Sequence, residues 1–138
     1  MTLTTNNRPL LAVAAVAALA LTGCSKSYEH RRLDGNDPQA DQVRRLLQAL
    51  REQDEEHLAA VVREQAAAGL TTAQEQALQA ALRELAQAES VRLVRLDAFG
   101  DQVRRATFRR TNRGQSTDEA MLLITDADGR LRWVGPNG

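Results

Sequence analysis

Aromatic side chains are scarce in this chain, at 3% of 138 residues: two phenylalanines, one tryptophan and one tyrosine. So few flat rings argue against the stacking platforms that hold single-stranded nucleic acid or sugars. Lysine is rarer still, with Lys26 alone, and 18 basic groups balance 18 acidic ones. That balance lacks the basic excess of a nucleic-acid binder, so no nucleic acid partner is expected. Cysteine occurs once, at Cys24, which rules out a disulfide within the chain. The two histidines, His30 and His57, form no His-x-x-x-His pair, so no metal site of that kind is present. No serine or cysteine nucleophile stands with a paired base. These absences predict a protein that is not an enzyme, with no metal and no cofactor.

What is present begins at the amino terminus. Arg8 precedes an unbroken apolar run from Leu10 to Leu21. The run has the length of a signal-peptide core and falls well short of the ~20 residues that span a bilayer. It leads into Leu21-Thr22-Gly23-Cys24. These four residues resemble a bacterial lipobox. The resemblance implies cleavage between Gly23 and Cys24 and a diacylglyceryl group on the Cys24 thiol. Gly23 suits the cut because a larger side chain would crowd the modified cysteine. A chance cysteine in an ordinary secretory signal, or a buried thiol in a helix, are the blander alternatives.

On this reading residues 1–23 are a lipoprotein signal peptide, 24–37 a polar tether and 38–138 a small domain. The mature chain would be 115 residues long, the size of one domain. Two or three acyl chains would hold it on the membrane, where a single chain would not. The expected location is the cell envelope, outside the cytoplasm. Ser25, where an Asp would favour retention at the inner membrane, permits transfer to the outer membrane in a bacterium with two.

The rest of the chain divides by hydrophobic period. Asp37-Pro38 has the pattern of an N-cap and first helical residue. Val43, Leu46, Leu47, Leu50, Leu58, Val61 and Val62 then recur at helical spacing. A break near Gln53–Glu56 allows two helices over 38–68, with Gly69 as the C-cap. Thr71 or Thr72 opens a further helix, with Gln74 or Glu75 as capping-box partner and Leu78, Leu82 and Leu85 as its stripe. From Ser90 the period drops to two. Strands are expected over Val91–Leu96, Val103–Thr111, Thr117–Thr125 and Leu131–Val134, with turns at Phe99-Gly100-Asp101, Asn112-Arg113-Gly114 and Asp128-Gly129. The fold class that follows is α+β: two or three N-terminal helices packed on one face of a four-stranded antiparallel meander.

This order of helices and meander, with its Asp-Ala-Asp-Gly-Arg turn, resembles the nuclear transport factor two-like (cystatin-like) domains. That resemblance implies a cone whose sheet curves under the helices. Phe108, Leu122, Ile124 and Trp133 are then the candidate pocket lining. Enzymes of that superfamily place Asp, His or Tyr inside the cone. Here the only tyrosine and one of the two histidines fall in the tether and the other histidine on a helix, so no catalytic residue carries over.

Other clusters have blander readings. Asp126-Ala127-Asp128-Gly129 partly resembles a calcium loop, but no glutamate stands at its twelfth position, and a hairpin turn explains it. Asp54, Glu55, Glu56 and His57 read as a solvated helix face. Asp97 and Asp101 flank a glycine turn, where Asp is common.

Charge divides along the chain. Residues 24–89 carry 8 basic and 12 acidic groups, residues 90–138 carry 9 and 6. Arg92, Arg95, Arg104, Arg105, Arg109, Arg110 and Arg113 supply most of that excess. They could meet phosphate headgroups or an acidic partner, or form a solvated strand face. Two functions remain. One is a membrane-anchored envelope lipoprotein that binds a protein partner or a small apolar ligand. The alternative is a membrane-tethered enzyme built on the same cone.

Overall fold

A computed structural model describes residues 29–137. The expected signal peptide, with Gly23 and Cys24, lies outside the described residues. The order of elements is β1 (His30–Leu33), α1 (Pro38–Arg51), α2 (Glu55–Gln65), α3 (Thr72–Gln87), β2 (Ser90–Phe99), β3 (Val103–Asn112), β4 (Gln115–Thr125) and β5 (Leu131–Pro136).

Local chemistry sets the helix boundaries. The Asp37 carboxylate accepts from the Gln39 amide, and Pro38 opens α1. Asp54 caps α2 through the His57 amide, which splits the helical stretch in two. Thr71 and Gln74 form a reciprocal capping box at the start of α3. The α2 end differs from expectation. It stops at Gln65, before Gly69, because Ala66 pairs alongside Trp133 and the Ala67 amide donates to the Trp133 carbonyl. The end of α3 has no basic residue in its last turn. Arg51 of α1 supplies one, its Nη1 lying 2.8 Å from the Leu85 carbonyl.

The sheet is antiparallel with order β1-β2-β3-β4-β5. It has five strands where four were expected. The extra strand is β1, which lies in the segment read as a tether and pairs His30–Leu33 with Leu96–Phe99. Four polar-rich residues carry too little period to announce a strand, and their partner lies more than sixty residues away.

Paired residues share a face, so the register fixes two faces. The inner face carries Leu96, Ala106, Phe108, Met121, Leu123 and Trp133, buried with the helix residues Val43, Leu47, Leu50, Leu78, Leu82 and Leu85. Phe108 and Trp133 are fully buried, with ring centroids 6.0 Å apart. Three glutamines stitch the helices to the sheet. Gln65 accepts from the Trp133 indole at 2.8 Å, Gln42 from the Leu131 amide at 2.9 Å and Gln39 from Arg104 Nε at 2.6 Å. Arg104 faces inward yet is satisfied, donating also to the Gly100, Asp101 and Val103 carbonyls. Among the described residues the buried apolar side chains lie between Leu33 and Val134, and a chain beginning at residue 25 contains all of them.

Candidate functional site: the open face of the sheet

The helices cover one side of the sheet and leave the other open. On that open side the strand register lays side chains in rows. His30, Phe99, Val103 and Ile124 form one row, and Arg32, Asp97, Arg105 and Leu122 the next. Arg95, Thr107 and Ala120 follow, then Arg92, Arg109 and Asp118. The face thus grades from apolar and aromatic at one end to ionic at the other.

Asp97 is the centre of this surface. It is wholly buried although it belongs to the open face, because its neighbours close over it. His30 Nε2 lies 2.8 Å from one of its oxygens, Arg95 Nε 2.9 Å and Arg105 Nη2 3.5 Å from the other. Burial alone would raise the Asp97 carboxyl. Hydrogen bonds from His30 and Arg95, with the charges of Arg95 and Arg105, outweigh burial and hold it below the ordinary carboxylate value. Phe99 braces the cluster, stacked on His30 at 4.8 Å with the Arg105 guanidinium 5.0 Å over its ring.

Beside the cluster lies a shallow depression of about 460 Å³, lined by Arg32, Arg95, Arg105, Arg109, Thr107 and Asn137 among others. Arg109 reaches both oxygens of Asp118, at 2.8 and 3.1 Å, and this hydrogen bonding lowers the Asp118 carboxyl. Asp97 and Asp118 therefore orient the guanidiniums of Arg95, Arg105 and Arg109 without cancelling their charge, and Arg32 adds a fourth arginine to two carboxylates. Such an array holds an anion by paired N–H donors.

The four expected pocket residues do not share a pocket. Phe108 and Trp133 are on the inner face, where they fill the space under the helices. Leu122 and Ile124 are on the open face, in a small cluster with Ala67, Leu70 and Val134. The reason is register: Phe108 lies opposite Glu119, so its face on β4 continues through Met121 and Leu123. Of the arginines read together, Arg92, Arg95, Arg105 and Arg109 reach the open face. Arg104 turns inward, and Arg110 pairs with Glu119 at 2.5 Å. Arg113 occupies the hairpin turn with φ 51°.

Sequence reasoning passed over Asp97, His30 and Arg32. The first read as a turn residue and the others as tether. The alternation Arg95-Leu96-Asp97-Ala98 is the available signal, since a carboxylate two residues from a strand arginine lies on the same face and invites pairing.

The remaining clusters are spent on structure. Asp126 accepts from the Asp128 and Arg130 amides and from Arg132 Nε, each at 2.9 Å, which closes the β4–β5 hairpin. Asp54, Glu56 and His57 bring ligand atoms within 4.8 Å of one another, but all three are exposed and Asp54 is committed to the α2 cap. Among the described residues no helix is long and apolar enough to cross a membrane. No family model, curated protein or solved structure matches the chain.

Proposed function

We propose that this protein is a non-catalytic lipoprotein of the bacterial envelope, held on the membrane through acyl groups on Cys24, which uses the open face of its sheet to bind an anionic partner. The observation that carries the binding reading is the row Arg32, Asp97, Arg105, Leu122 across four strands, with the buried Asp97 carboxylate holding Arg105 and the adjacent Arg95. The anchor reading rests on Leu21-Thr22-Gly23-Cys24. Only residues 25–29 separate Cys24 from β1, a reach of at most about 20 Å. The arginine face would then work close to the membrane surface, in the outer membrane where the organism has two.

The partner is an envelope protein or ligand bearing carboxylate or phosphate. A small apolar ligand under the helices has less support, since Phe108 and Trp133 are fully buried and fill that space. A tethered enzyme has less support too. The only fully buried carboxylate, among the described residues, has both oxygens engaged by His30, Arg95 and Arg105. The order of three helices and then a meander supports the nuclear transport factor two-like reading, and β1 ahead of the helices departs from the order first read.

Two measurements test the proposal. Intact mass of the protein from its native membrane should match residues 24–138 plus acyl groups, and Cys24→Ala should accumulate as uncleaved precursor. Normal processing of that variant would remove the anchor reading. Titration with inorganic phosphate should give binding that Arg105→Gln weakens at least tenfold. Phosphate binding unaffected by Arg105→Gln would remove the anionic-face reading and leave the anchor untouched.

A further inference from the structure

The strand β2 has an open edge. It spans Ser90–Phe99, but β1 pairs only with Leu96–Phe99. The chain leaves the sheet after Leu33 because the Asp37 amide donates to the Asp34 carbonyl, turning it into α1. Arg44 fastens that turn by donating to the Gly35 carbonyl at 2.9 Å. Ser90–Arg95 therefore lie against β3 on one side, with a bulge at Val94, and meet no strand among the described residues on the other.

A trough runs along this edge, between β2 and α1. Two depressions of about 320 and 410 Å³ meet at Arg44 and Leu93, which line both. Together they border Val91–Leu96 on the sheet side and run from Ala40 to Glu52 on the helix side. Six strand residues extend about 20 Å, and the helix stretch from Ala40 to Glu52 has about the same length. The trough is thus as long as the unpaired edge. Its floor includes Leu47, Val91 and Leu93.

We infer that this trough is a strand-addition site that takes an extended, acidic segment of a partner protein, paired by main-chain hydrogen bonds to the Ser90–Arg95 edge of β2. The unpaired backbone specifies an extended chain, because only a strand satisfies alternating N–H and C=O groups along such a line. The rim specifies its charge. Five arginines line the trough, at positions 32, 44, 51, 92 and 95, with Asp34 and Glu52; Arg44 pairs with Asp41 and Arg95 with Asp97, so Arg32, Arg51 and Arg92 carry the excess. The same charge disfavours a second copy of this chain. Antiparallel pairing of two β2 edges centred on residue 92 sets Arg92 against Arg92, and like charges directly opposite are destabilising. The trough shares Arg32 and Arg95 with the open-face depression, but the unpaired edge and the α1 side belong to the trough alone, and the inference does not need the lipid anchor.

The test uses residues 25–138 with a synthetic peptide, acetyl-Glu-Val-Glu-Val-Glu-Val-amide, and amide hydrogen exchange as the readout. The acidic peptide should slow exchange at the Ser90–Arg95 amides that face away from β3. The lysine counterpart should not, and N-methylation along the peptide's pairing edge should abolish the effect. Arg92→Glu should weaken binding at least tenfold; this side chain is exposed, and an unchanged urea midpoint confirms that the variant is folded. No protection at the highest soluble peptide concentration, or equal protection by the lysine peptide, overturns the inference. Protection that appears without peptide and tracks dimer formation in sedimentation also overturns it, in favour of a second copy. Binding without edge protection that Arg105→Gln abolishes overturns the edge site while supporting the anionic face.

Discussion

The two faces of one sheet solve opposite problems. The inner face is mainly apolar, with Phe108, Leu123 and Trp133 buried under three helices. The open face has no helical cover, yet it also contains a fully buried residue, and that residue is a carboxylate. On the inner side burial comes from packing against α1, α2 and α3. On the open side it comes from arginine stems and an imidazole folded over Asp97. Inner residues secure the fold; the open face keeps its cations oriented and within reach of solvent.

The sharpest way to test that division is Trp133→Ala. Trp133 is fully buried, packs its ring at a tilt against Phe108 and donates to Gln65. Its loss leaves a cavity and an unpaired amide oxygen, and should cost about 3–5 kcal/mol in urea unfolding. A cost near zero would mean that the space under the helices is not a packed core, and the apolar-ligand reading would return.

Next in size is Asp97→Asn. The charge is lost, but its cationic partners keep contact with water, so the cost should be about 2–3 kcal/mol, below that of breaking a fully buried pair. The sign of the pH dependence follows from its lowered carboxyl. Stability from Asp97 is fully present above the ordinary aspartate value near 3.9 and is lost as pH falls through the folded value below it. The urea midpoint of the natural chain should therefore fall more steeply below about pH 4 than that of Asp97→Asn. Parallel curves would show that Asp97 is not held ionised by its neighbours.

Arg104 is a buried cation on the inner face. Arg104→Met keeps the stem and deletes the donors to Gln39 and to the carbonyls at 100, 101 and 103. The expected cost is about 1–2 kcal/mol, with faster amide exchange at Gly100–Val103, because the turn carbonyls lose their partners. A stabilised variant would show that this guanidinium is a burden on the core.

What could be read beforehand follows the same divide. Asp37-Pro38, Thr71 with Gln74, and Asp128-Gly129 act on backbone a few residues away, and each ends or begins an element where local chemistry expects it. The leucine stripe of α3 is equally legible, since 3.6-residue spacing needs no knowledge of the partner. The candidate site is different in kind. Asp97 acquires its meaning from Arg105 across one strand pair and from His30 across another. Phe108 and Leu122 look alike in sequence, and only the β3–β4 register assigns them to opposite faces. Cross-strand neighbours are fixed by pairing, and nothing local encodes which strand pairs with a four-residue segment such as His30–Leu33.

The smallest expected effect on stability carries the most information about function. Arg109 and Asp118 are both substantially exposed, so their pairing gains little against solvent and salt. Arg109→Gln should leave the urea midpoint close to that of the natural chain, and the remaining difference should vanish at high salt. The same substitution removes one of the four guanidiniums around the open depression. Phosphate affinity should therefore drop while stability holds. If phosphate affinity held while stability fell, Arg109 would belong to the scaffold, and the division between an inner face that folds the protein and an open face that binds would fail at that position.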